Sequence, residues 1–191
     1  MIGPPASMTG GIAGVAAQLH RIDYGPDVRT AFFATTHAPR TSESLPARAL
    51  RHARHLAALR RTIAAVAPDI VHIHTCSGFS FYRAAADAQL ARRARCRVIL
   101  HVHGAAFDVF YARAGRTARW IIDKTLSAAD SVIALSLGWQ QKLHAIAPAA
   151  RITVVANAVD LPPAPAKTST DGPCRFLLLA RMDTWKGVDD L

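Results

Sequence analysis

Residues 97–103 read Arg-Val-Ile-Leu-His-Val-His, and residues 69–74 read Asp-Ile-Val-His-Ile-His. Each is a short, nearly continuous apolar run rich in valine or isoleucine, which predicts a strand of a parallel sheet covered on both faces. Working outward, similar runs alternate with helical stretches. Residues 28–34, 130–135 and 151–156 read as further strands. Residues 45–66 read as a helix with Ser44 as its N-cap and Pro68 beyond its end, followed by helices at 79–95, 109–128 and 137–147, the last stopped by Pro148. Strands separated by helices are βαβ units, so the predicted fold is α/β, a Rossmann-like, doubly wound parallel sheet.

Both ends depart from that rhythm. The first helix, 11–19, should follow a strand, yet only Met1 and Ile2 stand where that strand belongs. In a doubly wound sheet the first strand is central, so a gap in the ladder is expected there. Residues 157–173 hold Pro162, Pro163, Pro165, Gly172 and Pro173 and read as a linker. Residues 174–180 (Cys-Arg-Phe-Leu-Leu-Leu-Ala) open a new buried-type strand, and 181–187 form a turn entering a helix. The expected organisation is a first domain over 1–156, a linker over 157–173 and the incomplete start of a second domain over 174–191.

Composition bounds the partners. The chain has 191 residues, 51% of them hydrophobic, and three cysteines, Cys76, Cys96 and Cys174, with no paired spacing. Reduced, mostly buried thiols are expected rather than a disulfide framework. No apolar run approaches the roughly 20 residues that span a bilayer, and no secretory leader is evident at the N-terminus, so a cytoplasmic location is expected. A net charge of +10 suits an anionic partner such as a bilayer surface or a phosphorylated small molecule. Few aromatics lie among the arginines, which argues against single-stranded nucleic acid.

Four groups of residues could carry chemistry. Gly10 and Gly11 sit in a glycine turn at a helix start, where backbone N–H groups and the helix dipole favour an anion or a closely approaching sugar. It fits neither the dinucleotide fingerprint nor a Walker loop. His72 with His74, and His101 with His103, each lie on one strand face near the carboxyl end, where open α/β sheets bind ligands. His103 precedes Gly104 at the strand–loop junction and is the candidate ligand contact and catalytic residue; structural roles fit the other three. Paired histidines also suit zinc. The carboxylates to hand are Asp108 and Asp69, the latter at the wrong end of its strand, so no metal is expected. Arg181 and Lys186 flank a turn before Gly187 and suit a diphosphate. Arg51, Arg54 and Arg61 lie roughly opposite Leu56, Leu59, Ile63 and Val66 on the 45–66 helix, a basic face suited to docking on an anionic membrane.

The segments TGGIAGVA, PDIVHIHT, VILHVHG, ADSVIALS, ITVVANAVD and LLLARMDTWKG follow one another in an order that resembles the landmarks of family 4 glycosyltransferases of the GT-B fold. The likeness covers most of the chain, and the last segment looks like that family's G-R-L-x-x-x-K-G signature. The resemblance implies a retaining, metal-independent transferase that needs no cofactor. It would move sugar from a nucleotide-diphosphate sugar, such as a UDP- or GDP-sugar, to a lipid-linked or polysaccharide acceptor held by the first domain. Gly10 and Gly11 would line the sugar–phosphate cleft, His103 would touch the donor sugar, and Arg181 and Lys186 would neutralise the diphosphate. Ala158 replaces the usual glycine of Asn-Gly-Val-Asp, Ala180 stands where glycine is frequent, and the family's glutamate pair is not in this sequence. The expectation is therefore an enzyme fragment of impaired activity, peripheral on the inner face of a membrane. The alternative is a non-catalytic basic module that binds a membrane surface, without nucleic acid as a partner.

Overall fold

The computed structural model describes residues 1–8, 10–35, 44–104 and 106–158. Its strands are β1 (Ile2–Gly3), β2 (Phe33–Ala34), β3 (Ile70–Thr75), β4 (Arg97–Val102), β5 (Ser131–Ala134) and β6 (Ile152–Val154). They form one sheet in the order β2-β1-β3-β4-β5-β6, with every neighbouring pair parallel. The helices are α1 (Gly11–Arg21), α2 (Leu45–Val66), α3 (Phe79–Arg93), α4 (Phe107–Arg113), α5 (Arg116–Ala128) and α6 (Leu137–Ile146). This is the expected Rossmann-like α/β architecture.

The core follows from strand alternation. Val71 and Ile73 of β3, Val98, Leu100 and Val102 of β4, and Val132 and Ala134 of β5 are all buried. They pack with Leu59 and Ile63 of α2, Phe81 of α3, and Ile122 and Leu126 of α5. The other face of the sheet carries the histidines, and α1 lies on that side. A Cβ placed on Gly3 would lie 3.3 Å from the Cβ of Ala16 and 3.4 Å from the Cδ2 of His74.

Three expectations are corrected. The central strand is not missing: Ile2 and Gly3 suffice, because Ile2 aligns with Phe33 on one side and Ile73 on the other. The Met1 and Gly3 carbonyls accept from Phe33 N at 2.8 Å and Thr35 N at 2.7 Å. The strand expected at 28–34 contracts to Phe33–Ala34, since its partner β1 is equally short. The helix expected at 109–128 is two, α4 and α5, broken at Ala114 and Gly115, whose backbone is extended. The linker beyond residue 158 and the strand and turn expected at 174–191 lie outside the described residues.

Candidate functional site

The strand order reverses at β1: the chain leaves it for β2 on one side and returns to β3 on the other. At such a switch point the loops leaving two adjacent strands part to opposite faces and open a crevice at the carboxyl edge. Here the loop after β1 leads into α1 and the loop after β3 leads into α3.

Both helices begin on glycine. Gly10 caps α1 with φ 147, and Gly78 caps α3 with φ 70; neither cap makes a side-chain hydrogen bond. The first turns of both helices therefore offer backbone N–H donors, reinforced by the positive ends of two helix dipoles. A side chain at Gly10 would be strained by its φ, and a Cβ at Gly10, Gly11 or Gly14 would meet nothing within 4 Å, so the turn lies open. That combination suits an anion or a close-packed sugar.

Beside this edge lies a block of imidazoles. Register pairs His74 with His101, and period-2 geometry puts His72, His74, His101 and His103 on one face. Ring centroids of His101 and His103 are 4.2 Å apart, those of His72 and His74 4.6 Å, and those of His74 and His101 5.0 Å. His74 Nδ1 and His103 Nε2 share a hydrogen bond of 2.9 Å; His72 Nε2 and His101 Nδ1 share one of 3.2 Å. Burial pushes His72 and His101 down to about 4, His103 to about 3 and His74 to about 2. Facing imidazoles add repulsion for His72, His74 and His103, and the Met1 ammonium adds to it for His72 and His74. All four rings are therefore neutral at neutral pH.

His103 follows β4 directly and extends its ladder, donating its N–H to the Thr75 carbonyl at 2.8 Å. It is largely buried, and the bond to His74 uses its Nε2, not its Nδ1. Next to it, Gly104 has φ 44, and a Cβ there would come within 3.0 Å of the Trp139 Nε1. Gly10, Gly11 and His103 thus share the carboxyl edge. Arg181 and Lys186 lie outside the described residues.

The basic residues of α2 sit elsewhere. Arg54 and Arg61 are exposed and Arg51 is half-buried. Arg51 and Arg54 border a cavity of about 430 Å³ with Phe33, Leu50 and His55. Leu59 and Ile63 are buried as the amphipathic pattern predicts, whereas Val66 is exposed. Inspection of the sequence missed His55, which is buried and bonded to Asp87 of α3 at 2.8 Å. It also missed the Cys76–Gly78 loop that opens α3 at the switch point; the glycine before an apolar helix was its only signal. Among the described residues, no helix is long and apolar enough to cross a membrane.

Comparison with known proteins adds a family. The family described as glycosyl transferase 4-like domain matches residues 8–158, a span that runs from the glycine turn past β6. None of the curated proteins matches the chain.

Proposed function

Because the chain belongs to the glycosyl transferase 4-like family and carries a domain of glycosyltransferase type, we propose that it takes part in moving a sugar from a nucleoside diphosphate to a glycolipid or polysaccharide acceptor. The observation that carries this reading is the pair of glycine-capped helix N-termini at the β1/β3 switch point. Their amides and dipoles favour the phosphates and allow a sugar ring close approach. His103 presents a neutral imidazole at the same edge, able to donate a hydrogen bond to a sugar hydroxyl without carrying charge into the site.

In this proposal Arg181 and Lys186 neutralise the diphosphate. Negative charge grows there as the glycosidic bond breaks, so fixed cations stabilise the transition state more than the ground state. They do the work a divalent cation does elsewhere, which makes the transfer metal-independent; retention at the anomeric carbon, as the family resemblance implies, and no cofactor beyond the UDP- or GDP-sugar belong to the same proposal. Turnover by the 191-residue chain alone is expected to be far below that of an enzyme carrying the glutamate pair.

Isothermal calorimetry of the chain with UDP-glucose and GDP-mannose tests the reading. Saturable binding of at least one, weakened about tenfold by Gly11→Asp through charge repulsion at the helix start, is expected. Binding unchanged in Gly11→Asp and in Arg181→Ala/Lys186→Ala would remove it.

A second role, docking on the cytoplasmic face of an anionic bilayer, draws support from α2. Exposed Leu50 lies on the same side of that helix as Arg51, Arg54 and Arg61. Such a surface joins apolar insertion to roughly 1 kcal/mol of attraction per cation. Flotation with phosphatidylserine vesicles checks it; an Arg51→Ala/Arg54→Ala/Arg61→Ala variant that floats as well as the parent would dispose of the role.

A further inference from the structure

Each neutral imidazole owns one N–H and one lone pair. In the bond between His74 and His103, and in that between His72 and His101, one ring gives its proton and the other its lone pair. Four ring nitrogens lie outside these two bonds, and two of them, His74 Nε2 and His101 Nε2, are buried with no hydrogen-bond partner. A buried polar atom left without a partner is costly, and here two occur on side chains that face one another across a single register pair. If His74 donates through Nδ1 to His103, and His101 through Nδ1 to His72, both leftover atoms are bare lone pairs. That arrangement lacks only an electrophile.

One ring nitrogen each of His72, His74 and His101 lies within 4.8 Å of those of the other two. We propose that these three residues form a binding site for a divalent transition metal, zinc foremost, that clasps β3 to β4 on the histidine face of the sheet. Zinc–imidazole bonds of about 2.0–2.1 Å in a tetrahedral arrangement need nitrogens about 3.4 Å apart. Side-chain rotations that draw the ring nitrogens together by up to about 1.4 Å, with His72 Nε2 released from its bond to His101 Nδ1, achieve this. His103 then holds the outer nitrogen of His74, the usual means of orienting a ligating ring. An all-imidazole set selects zinc, cobalt, nickel or copper over magnesium, calcium or manganese. His74 and His101 are only 1% and 2% exposed, so the metal sits away from the diphosphate, with His103 the link to the sugar-binding edge proposed above.

Chelator-treated chain titrated with Co²⁺ tests the proposal. The expected result is one equivalent bound, with the visible d–d absorption of nitrogen-coordinated cobalt. Zinc should displace it, and the melting temperature should rise with zinc but not with Mg²⁺. His72→Gln, at the half-buried end of the cluster, should lose binding while keeping its circular dichroism spectrum. His103→Asn should weaken binding about 10- to 100-fold, and the controls His20→Gln, His52→Gln and His144→Gln should leave it unchanged. A wild-type chain that stays colourless and melts alike in zinc and in chelator would overturn the site and leave a bridging water as the occupant. Binding that survives in His72→Gln but disappears with a control variant would overturn it equally.

Discussion

Acid should unfold this domain through its buried imidazoles, and the size of the effect can be worked out. An unfolded histidine titrates near 6.5. In the fold, His72 and His101 are held down to about 4, His103 to about 3 and His74 to about 2. Each folded value lies below the unfolded one, so the unfolded chain binds more protons as pH falls. The stability these rings permit is intact above about pH 6.5 and is lost as pH falls from there toward the folded values. One unit below 6.5, each ring forfeits about 1.4 kcal/mol. Four together forfeit about 5.6 kcal/mol, which reaches the lower end of typical domain stability. Urea unfolding followed by circular dichroism, in chelator and at steps from about pH 7.5 to about pH 5, reads the number of protons taken up from the slope of stability against pH. About four are expected, and His101→Phe should remove one. A slope of one proton or fewer, or the same slope in His101→Phe, would mean that the buried imidazoles do not set the acid sensitivity.

Gly104→Ala should destabilise the chain by about 1–2 kcal/mol, because a left-handed backbone at φ 44 meets a Cβ only 3.0 Å from Trp139; urea midpoints check it, with a strengthened near-ultraviolet signal at Trp139 as the contrary sign. Leu126→Ala, at a fully buried α5 position facing the core, should cost about 2–5 kcal/mol in the same assay. Asp87→Ala strips His55 of its partner inside the α2–α3 contact and should cost about 3 kcal/mol, more than Ala64→Ser at an exposed position of α2, which should change nothing measurable.

What could be read from the sequence depended on how local the signal was. The 69–74 and 97–103 runs declared buried parallel strands, since their valines and isoleucines repeat over six or seven positions. The glycine turn at 10–11 declared a helix start. β1 escaped notice because two residues carry no periodicity; it exists through its neighbours, with carbonyls that accept from Phe33 and Thr35. The break at 114–115 escaped because an alanine–glycine step interrupts a helical pattern without a proline to mark it. Period 2 put each histidine pair on one face, but the alignment of His74 with His101 is a property of register, which no single strand encodes. His55 and Asp87 lie on different helices, 32 positions apart, and read separately as a polar residue on each.

In the proposed function the carboxyl edge of this sheet, at the β1/β3 switch point, receives a nucleotide-diphosphate sugar. Titration of the ¹⁵N-labelled chain with UDP-glucose or GDP-mannose, followed by ¹H–¹⁵N spectra, reads that binding residue by residue. Saturable shifts concentrated at the amides of Gly10, Gly11, Ile12, Gly78 and His103 are expected. Shifts confined to the opposite edge, around Ala67–Asp69 and Arg95–Arg97, or none with either donor, would contradict it.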